Sequence, residues 1–306
     1  MSGHKITVVL ATYNRASILP MCLKSIATQT YQKWKLVIVN DASTDQTEEV
    51  IKQYLNDNRV HYLKNFGNQG MIKTRNLGID HCKTELAFIA EDDVVLHEDC
   101  LEILVKRYSE LKINGINNVF CVAPKIISSA QSKDPSRNGR SWFKLNKFTG
   151  WIYTHYGDEF TETPILPSVG LYNSELLKKI KHDESYGRNI LRSDDDLHLT
   201  ARKLGLRLFY EPKAIAVHLC YRSGGNRGYG SSEFVRMSYY IWRWRNHIRF
   251  NSKFFGMKSI YMNLIFSLVY LIHGCLLVPL SGIQSFRRAF KEIFKKLSPI
   301  ILRDLE

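Results

Sequence analysis

Five apolar residues, 86–90, run directly into three consecutive carboxylates, Glu91, Asp92 and Asp93, and apolar residues resume at Val94. A continuous apolar run of this length predicts a strand that is buried on both faces, as in a parallel sheet. Three unpaired carboxylates at the end of a buried strand would be costly. A divalent cation held together with substrate phosphates resolves that conflict. The alternative is a solvated acidic turn before a helix, a position that the helix dipole favours.

Strands and helices alternate through the first part of the chain. Apolar runs predict strands at 6–11, 36–39, 60–63, 86–96 and 118–123. Apolar residues at helical spacing predict helices around 18–26, 50–54, 71–79 and 98–111. Ser43 and Gln46 have the spacing of a capping box for the second of these helices. This alternation with short loops is typical of a doubly wound, mostly parallel α/β sheet.

Polar segments follow three of these strands, at Thr12–Arg15, Asp41 and Glu91–Asp93. Ligands bind to doubly wound sheets at the carboxyl ends of the strands, so we expect the three segments to converge on one site. No GxGxxG follows the first strand and no GxxxxGK[ST] occurs in the chain. A dinucleotide-binding fold and a P-loop enzyme are therefore not supported.

Four motifs occur in order over about ninety residues: VVLATYNR, VIVNDASTDQT, NQGMIKTRNLGI and FIAEDDVVLHEDCLE. Together they resemble the family 2 glycosyltransferases, which have the GT-A fold and use nucleotide sugars. In that family the first motif cradles the nucleotide, the aspartate of the second reads the base, and the arginine of the third supports the nucleotide. The resemblance implies that the nucleotide is bound by Thr12, Tyr13, Asn14, Arg15, Asp41, Arg75 and Asp92.

The acidic motif of the family holds a divalent cation, Mn²⁺ or Mg²⁺, on the diphosphate. Its usual D-x-D pattern is Glu91-Asp92-Asp93 here, and we favour Asp93 as the direct ligand, with Asp92 second. Taken singly, Asp41 is also explained as a residue approaching a helix, and Arg75 as a solvated helix cation. The ordered set of motifs favours the functional interpretation.

The segment 128–164 is polar and irregular, and it predicts a lid or a hairpin excursion whose aromatic residues stack on sugars or pack the excursion down. A helix beginning near Asp194, Asp195 and Asp196 follows, with Gly205 as its cap. The helix dipole alone accounts for acidic residues there. The resemblance implies instead that Asp194 is the general base, with Asp195 as second choice, although Ser193 stands where the family usually has glutamate.

His218 ends a predicted strand at 214–217 that follows another at 206–210. In related GT-A enzymes a late histidine joins the metal, and imidazole suits Mn²⁺ better than Mg²⁺. A histidine at a strand end is otherwise structural. The glycine- and arginine-rich segment 222–228 predicts a lid over the leaving diphosphate or a solvated linker.

The carboxyl-terminal region is basic and apolar. Net charge is +14, and residues 236–306 carry twelve Lys/Arg against three acids. Residues 260–280 lack charged side chains, and 283–297 form a basic amphipathic pattern. We expect a membrane surface to be contacted through residues 260–297, the alternative being a helical hairpin packed on the protein. Basic and aromatic residues interleave at 237–250, yet nucleic acid is not an expected partner.

We therefore predict a GT-A catalytic domain over 1–235, with a nucleotide-binding half at 1–125 and an acceptor-side half at 126–235, followed by a membrane-associated helical region at 236–306. The predicted function is inverting, metal-assisted transfer of a sugar from a nucleotide diphosphate to a lipid-linked or polysaccharide acceptor. Six cysteines without a CxxC pair and no signal peptide indicate the cytoplasmic face of a membrane.

Two other functions remain open. One is a non-catalytic, membrane-bound scaffold that binds nucleotide sugars, to which the departures at Glu91 and Ser193 lend support. The other is a sugar-phosphate nucleotidyltransferase. That enzyme class needs a glycine-rich basic loop directly after the first strand, which Thr12–Arg15 does not supply.

Overall fold

The computed structural model describes residues 4–129, 142–146, 148–155, 157–187, 190–221 and 233–277. The chain divides into two compact units, Met1–Leu145 with Ile152–Tyr229, and Asn146–Trp151 with Gly230–Glu306. The lid or linker predicted at 222–228 and the amphipathic pattern at 283–297 lie outside the described residues.

The first unit alternates strands and helices. Its strands are β1 (Ile6–Thr12), β2 (Trp34–Asn40), β3 (Val60–Lys64), β4 (Leu86–Glu91), β5 (Val94–Leu96), β6 (Val119–Ser128), β7 (Trp142–Leu145), β8 (Ile152–His155), β9 (Thr161–Glu162), β10 (Gly170–Asn173) and β11 (Arg207–His218). Its helices are α1 (Leu19–Ala27), α2 (Thr47–Lys52), α3 (Met71–Asp80), α4 (Cys100–Ile113), α5 (Ser174–Ile180) and α6 (Ser193–Lys203).

One large sheet organises this unit, in the order β3-β2-β1-β4-β10-β6-β11-β5, with β9 also paired to β11. Strands β3, β2, β1 and β4 are mutually parallel, as are β6 and β11, whereas β10, β5 and β9 run the other way. Adjacent residues of β1 enter different cores: Val8 and Leu10 pack in one cluster and Val9 in the other. The predicted α/β fold with a central sheet covered on both faces is confirmed.

Helix α3 lies unusually close to the sheet. A Cβ atom added at Gly78 would come within 2.5 Å of a Val9 methyl group, so only glycine permits this approach. The buried face of α3 includes Arg75, which this packing places beside the ends of the parallel strands.

The structure corrects three local predictions. The strand predicted at 86–96 is broken at Asp92 and Asp93, because β5 leaves β4 and pairs antiparallel with β11. The two strands predicted at 206–210 and 214–217 are one strand, β11, with an irregular pairing between Glu211 and Ile215. The capping box is absent: the α2 N-cap residue makes no side-chain bond, and the Ser43 hydroxyl instead accepts a hydrogen bond from a backbone N–H after β1.

The second unit contains α7 (Glu233–Phe255), α8 (Lys258–Leu277) and the segment Asn146–Trp151 that links β7 to β8. The hairpin predicted within 128–164 is thus present as β7 and β8. Its connecting segment is held by buried polar groups, since the Thr149 carbonyl accepts hydrogen bonds from His247 Nε2 at 2.7 Å and from Asn251 Nδ2 at 3.2 Å. Among the residues described, no helix combines the length and apolar character needed to cross a bilayer.

Candidate functional site

The predicted polar segments meet at the carboxyl ends of β1, β2 and β4. These strands are parallel neighbours, so Thr12, Asp41 and Glu91 emerge at the same edge of the sheet. A pocket at this edge is lined by Ala11, Thr12, Tyr13, Asp41, Met71, Thr74 and Asp92. The structure therefore brings together residues from each of the four sequence motifs.

Asp41 organises the loop before α3. Its Oδ1 accepts hydrogen bonds from the Asn65 side chain and the Gln69 N–H, both at 2.8 Å. Its Oδ2 accepts one from the Gly70 N–H at 2.9 Å. A carboxylate offers about four lone-pair sites, so Asp41 retains capacity for a further donor in the pocket. The same side chain thus lines the pocket and fixes the start of the helix that carries Arg75.

The loop after β1 is fixed by the loop after β2. The Asn14 side-chain oxygen accepts a hydrogen bond from the Thr44 N–H at 2.8 Å, and Asn14 itself has a φ of +51°. Asparagine tolerates this left-handed conformation better than most residues. Tyr13 consequently lies in the pocket wall, whereas Arg15, two residues later, is buried.

Arg15 contacts the acidic turn directly. Its Nε lies 3.2 Å from Asp92 Oδ1, and its second guanidinium nitrogen lies 3.6 Å from Asp93 Oδ2. Burial raises the pKa of Asp92 to about 7, although the Arg15 charge opposes that rise and the neighbouring Asp93 adds to it. Arg15, predicted as a nucleotide contact, therefore also pairs with both aspartates of the turn, and the sequence gave no means to foresee this pairing.

Three donor groups could hold a cation. Oxygen atoms of Glu91 and Asp93 and a ring nitrogen of His218 lie within 4.8 Å of one another. Asp93 Oδ2 is 3.4 Å from His218 Nε2, and this contact raises the pKa of His218 to about 9. Binding of a divalent cation to this imidazole would displace that proton. Carboxylates combined with imidazole fit Mn²⁺, whereas Asp92, turned to Arg15, lies outside this set.

Arg75 joins this cluster to a distant part of the chain. Its guanidinium is buried and donates to Glu91 Oε1 at 3.2 Å and to Asp194 Oδ1 at 3.0 Å. Asp194 stands 119 residues further along, at the start of α6. One side chain therefore places the candidate base next to the candidate cation site.

The three aspartates of α6 have three different environments. Burial raises the pKa of Asp194 to about 6, against the opposing charge of Arg75. Asp195 pairs instead with Arg192 at 2.6 Å, and Asp196 accepts a hydrogen bond from the Tyr186 hydroxyl at 2.9 Å. Of the three, Asp194 is the one directed at the acidic motif.

A buried histidine that the sequence did not single out lies beside Asp194. His182 Nδ1 is 3.2 Å from the Ser193 hydroxyl and 3.8 Å from Asp194 Oδ1. Burial lowers the pKa of His182 well below its usual value, so the ring is neutral. Ser193, where the resemblance leads one to expect glutamate, is thus the partner of a neutral ring.

The architecture is that of the GT-A glycosyltransferases. The chain matches S. aureus TarS 1-349 in complex with UDP-GlcNAc with a TM-score of 0.56, over 93% of this chain and 79% of that one, at 17% identity. It matches GalNAc-T7 with UDP, GalNAc and Mn²⁺ with a TM-score of 0.66, over 98% of this chain and 57% of that one, at 14% identity. At such identities the likeness establishes the fold alone.

Sequence comparison gives the family. The model described as glycosyl transferase family 2 matches residues 7–161. The chain belongs to glycosyl transferase family 2, a family of enzymes that transfer glycosyl groups, and the prediction made from the four motifs is confirmed.

Two bacterial glycosyltransferases are similar in sequence to part of this chain. Glycosyltransferase GlyA of Streptococcus pneumoniae serotype 4 is 36% identical over 118 residues, which are 38% of this chain and 17% of GlyA. The GalNAc(5)-diNAcBac-PP-undecaprenol beta-1,3-glucosyltransferase of Campylobacter jejuni is 26% identical over 170 residues, which are 52% of this chain and 53% of that protein. The chain thus spans about half, or less, of the length of these relatives.

Proposed function

We propose that this protein is an inverting glycosyltransferase that moves a sugar from a nucleotide diphosphate donor to a hydroxyl group of a lipid-linked or polysaccharide acceptor. The UDP-GlcNAc complex of TarS and the undecaprenol-linked substrate in the name of the C. jejuni relative support these two substrate classes. The observation that carries the proposal is the pair of contacts from Arg75 to Glu91 and Asp194, which joins the donor side of the site to a carboxylate on α6.

The donor nucleotide would occupy the pocket at the ends of β1 and β2. Thr12 and Tyr13 form its wall, and Asp41 has lone-pair capacity left for a donor group of the base. Asn14 shapes this wall through its bond to the loop after β2. Arg75 supports the far side of the nucleotide with a charge that two carboxylates hold in place.

Glu91, Asp93 and His218 would hold a divalent cation, Mn²⁺ in preference to Mg²⁺ because of the imidazole. When bound, the cation neutralises negative charge on the departing nucleoside diphosphate. Arg15 contributes by balancing Asp92 and Asp93, so that the acidic turn does not repel the diphosphate.

Asp194 would accept the proton of the acceptor hydroxyl. A carboxylate with a pKa of about 6 is mostly ionised at neutral pH, yet it is more basic than an ordinary aspartate. Arg75 keeps Asp194 Oδ1 in place, while the other oxygen remains for the acceptor. A base acting on an acceptor opposite the leaving diphosphate gives a single displacement, and hence inversion.

We also propose that the second unit lies on the cytoplasmic face of a membrane. Ile260, Tyr261, Leu264 and Leu268 repeat at helical spacing on α8 and are exposed. In the sequence of 236–306, twelve Lys/Arg against three acids favour an anionic surface as the partner of this region. Cys22, Cys82, Cys100, Cys121 and Cys220 are free thiols, which fits a reducing compartment.

The experiment is a screen of nucleotide sugars for release of nucleoside diphosphate, with Mn²⁺, Mg²⁺ or a chelator, with and without a polyprenyl-diphosphate-linked sugar. We expect release that needs a cation and rises with acceptor. Asp194→Asn should lower transfer about 10²- to 10⁴-fold while donor binding persists. The matched variant Asp195→Asn should retain transfer, because Asp195 faces Arg192. Wild-type turnover by Asp194→Asn contradicts the assignment of the base, and donor binding without any release favours the scaffold.

A further inference from the structure

One cysteine lies beside the candidate cation site. Cys220 is partly exposed, and it follows His218 by two residues. Its φ of +54° is in the left-handed region that residues other than glycine seldom adopt. The other free cysteines that the structure describes are all buried: Cys22, Cys82, Cys100 and Cys121. The chain after β11 therefore bends sharply at a thiol-bearing residue next to a proposed ligand.

The bend places the thiol against the His218 ring. Cys220 Sγ lies 3.1 Å from His218 Nδ1, whereas the other ring nitrogen, Nε2, faces Asp93 at 3.4 Å. Cys220 Sγ also lies 3.0 Å from the Ser128 hydroxyl. Ser128 is the residue opposite His218 in the parallel pairing of β6 with β11. The imidazole is thus contacted at both nitrogens, and the sheet itself positions the hydroxyl that contacts the thiol.

The thiol is not one of the candidate ligands. The donor atoms of Glu91, Asp93 and His218 lie within 4.8 Å of one another, and the Cys220 sulfur is not part of that set. It touches the ring nitrogen that faces away from the carboxylates. Histidine ligands in metal sites are commonly held at the second nitrogen by a neighbouring group, which fixes the orientation of the ring.

The backbone here is held independently of the thiol. The Leu219 N–H donates to the Asp93 carbonyl at 2.8 Å, and the Ser129 hydroxyl donates to the Leu219 carbonyl at 3.0 Å. Loss of the Cys220 side chain would leave both bonds intact. Its removal should therefore release the imidazole without moving the end of β11.

We propose that Cys220, seated on the Ser128 hydroxyl, is a positioning residue that aims Nε2 of His218 at the cation. The inference rests on the cation site of the proposed function and adds a residue to it. A thiol contact on Nδ1 limits rotation of the ring, so less orientational freedom is lost when the cation binds. Without that contact, the two carboxylates would hold the cation together with a third ligand whose orientation is less fixed.

The test measures Mn²⁺ binding to the full chain without nucleotide, by the electron paramagnetic resonance signal of free Mn²⁺. Cys220→Ala should weaken the affinity at least about tenfold, the lower end of the effect of such supporting residues. Cys220→Ser should recover most of the affinity, because a hydroxyl can also contact Nδ1. Ser128→Ala should lose part of it, and Ser109→Ala, which removes a hydroxyl bonded to the Val105 carbonyl within α4, is the matched control that binds like wild type.

Thermal unfolding without metal shows whether each variant folds. If Cys220→Ala does not fold, the comparison of Mn²⁺ affinity between Ser128→Ala and Ser109→Ala decides. Wild-type Mn²⁺ affinity in Cys220→Ala, or no recovery in Cys220→Ser, overturns the positioning role. His218→Ala separates this result from failure of the site itself. If His218→Ala also binds Mn²⁺ like wild type, the proposed cation site is wrong; if it loses affinity while Cys220→Ala does not, only the positioning role is wrong.

Discussion

Replacing Asp194 with asparagine tests the electrostatics of the proposed base without any substrate. Burial raises the pKa of Asp194 from 3.8 to about 6, more than the Arg75 charge lowers it. A carboxyl group whose pKa is higher in the folded than in the unfolded protein makes the fold less stable as the pH rises through that interval. The ionised Asp194 side chain should therefore destabilise the protein at neutral pH.

The magnitude follows from the same interval. One pKa unit corresponds to about 1.4 kcal/mol, so the rise to about 6 sets an upper value of about 3 kcal/mol. The Asp194 side chain is 23% exposed, and solvent screening reduces the expected effect to about 2 kcal/mol. Asparagine keeps an oxygen that accepts from Arg75 but has no charge to bury. Asp194→Asn should accordingly be more stable than wild type by about 2 kcal/mol at pH 8 and no more stable at pH 4.

Urea unfolding followed by circular dichroism at pH 4, 6 and 8 measures this difference. Asp158→Asn, whose side chain is 49% exposed, controls for the substitution itself. A gain in stability that is the same at pH 4 and pH 8, or an Asp194→Asn variant less stable than wild type at pH 8, would refute the reasoning. In either case the carboxylate is not held ionised against its environment.

Two further substitutions test other parts of the account. Asp41→Asn should lower the free energy of unfolding by about 1–3 kcal/mol and weaken donor binding, because an amide nitrogen cannot accept the hydrogen bond from the Gly70 N–H. Urea unfolding measures the first effect and thermal stabilisation by nucleotides the second, and unchanged donor binding would contradict the prediction. Gly150→Ala should destabilise the second unit by more than about 2 kcal/mol, because Gly150 has a φ of +68° and an added Cβ atom would lie 2.1 Å from Asn251 Oδ1. Limited proteolysis measures this effect, and a variant as resistant as wild type would contradict the prediction.

The parts of the fold that follow from local sequence were predictable. Strands such as β1 and β4 are almost entirely apolar and buried, and the residue that follows each apolar run must emerge at the edge of the sheet. Asp41 and the acidic turn could therefore be assigned to one site from the sequence. The break between β4 and β5 could not, because it depends on pairing with β11 more than one hundred residues later.

The sequence also did not show which charged residues pair with one another. Arg15 and Arg75 each have a motif position, but nothing in the sequence shows that one contacts Asp92 and the other bridges Glu91 to Asp194. The Arg75 pairings depend on how α3 and α6 pack against the sheet, and the Arg15 pairing depends on the loop after β1 and the turn between β4 and β5. They also explain why the D-x-D pattern alone left the ligand set open, since Asp92 contacts Arg15, whereas Asp93 contacts both Arg15 and His218.

A single site should hold both the cation and the nucleotide. A crystal soaked with MnCl₂ and UDP, measured at the manganese absorption edge, tests this directly. The expected result is an anomalous peak among Glu91, Asp93 and His218, with the diphosphate against it and the nucleoside in the pocket lined by Thr12 and Asp41. Manganese bound away from those three residues, or UDP bound outside that pocket, would contradict the account.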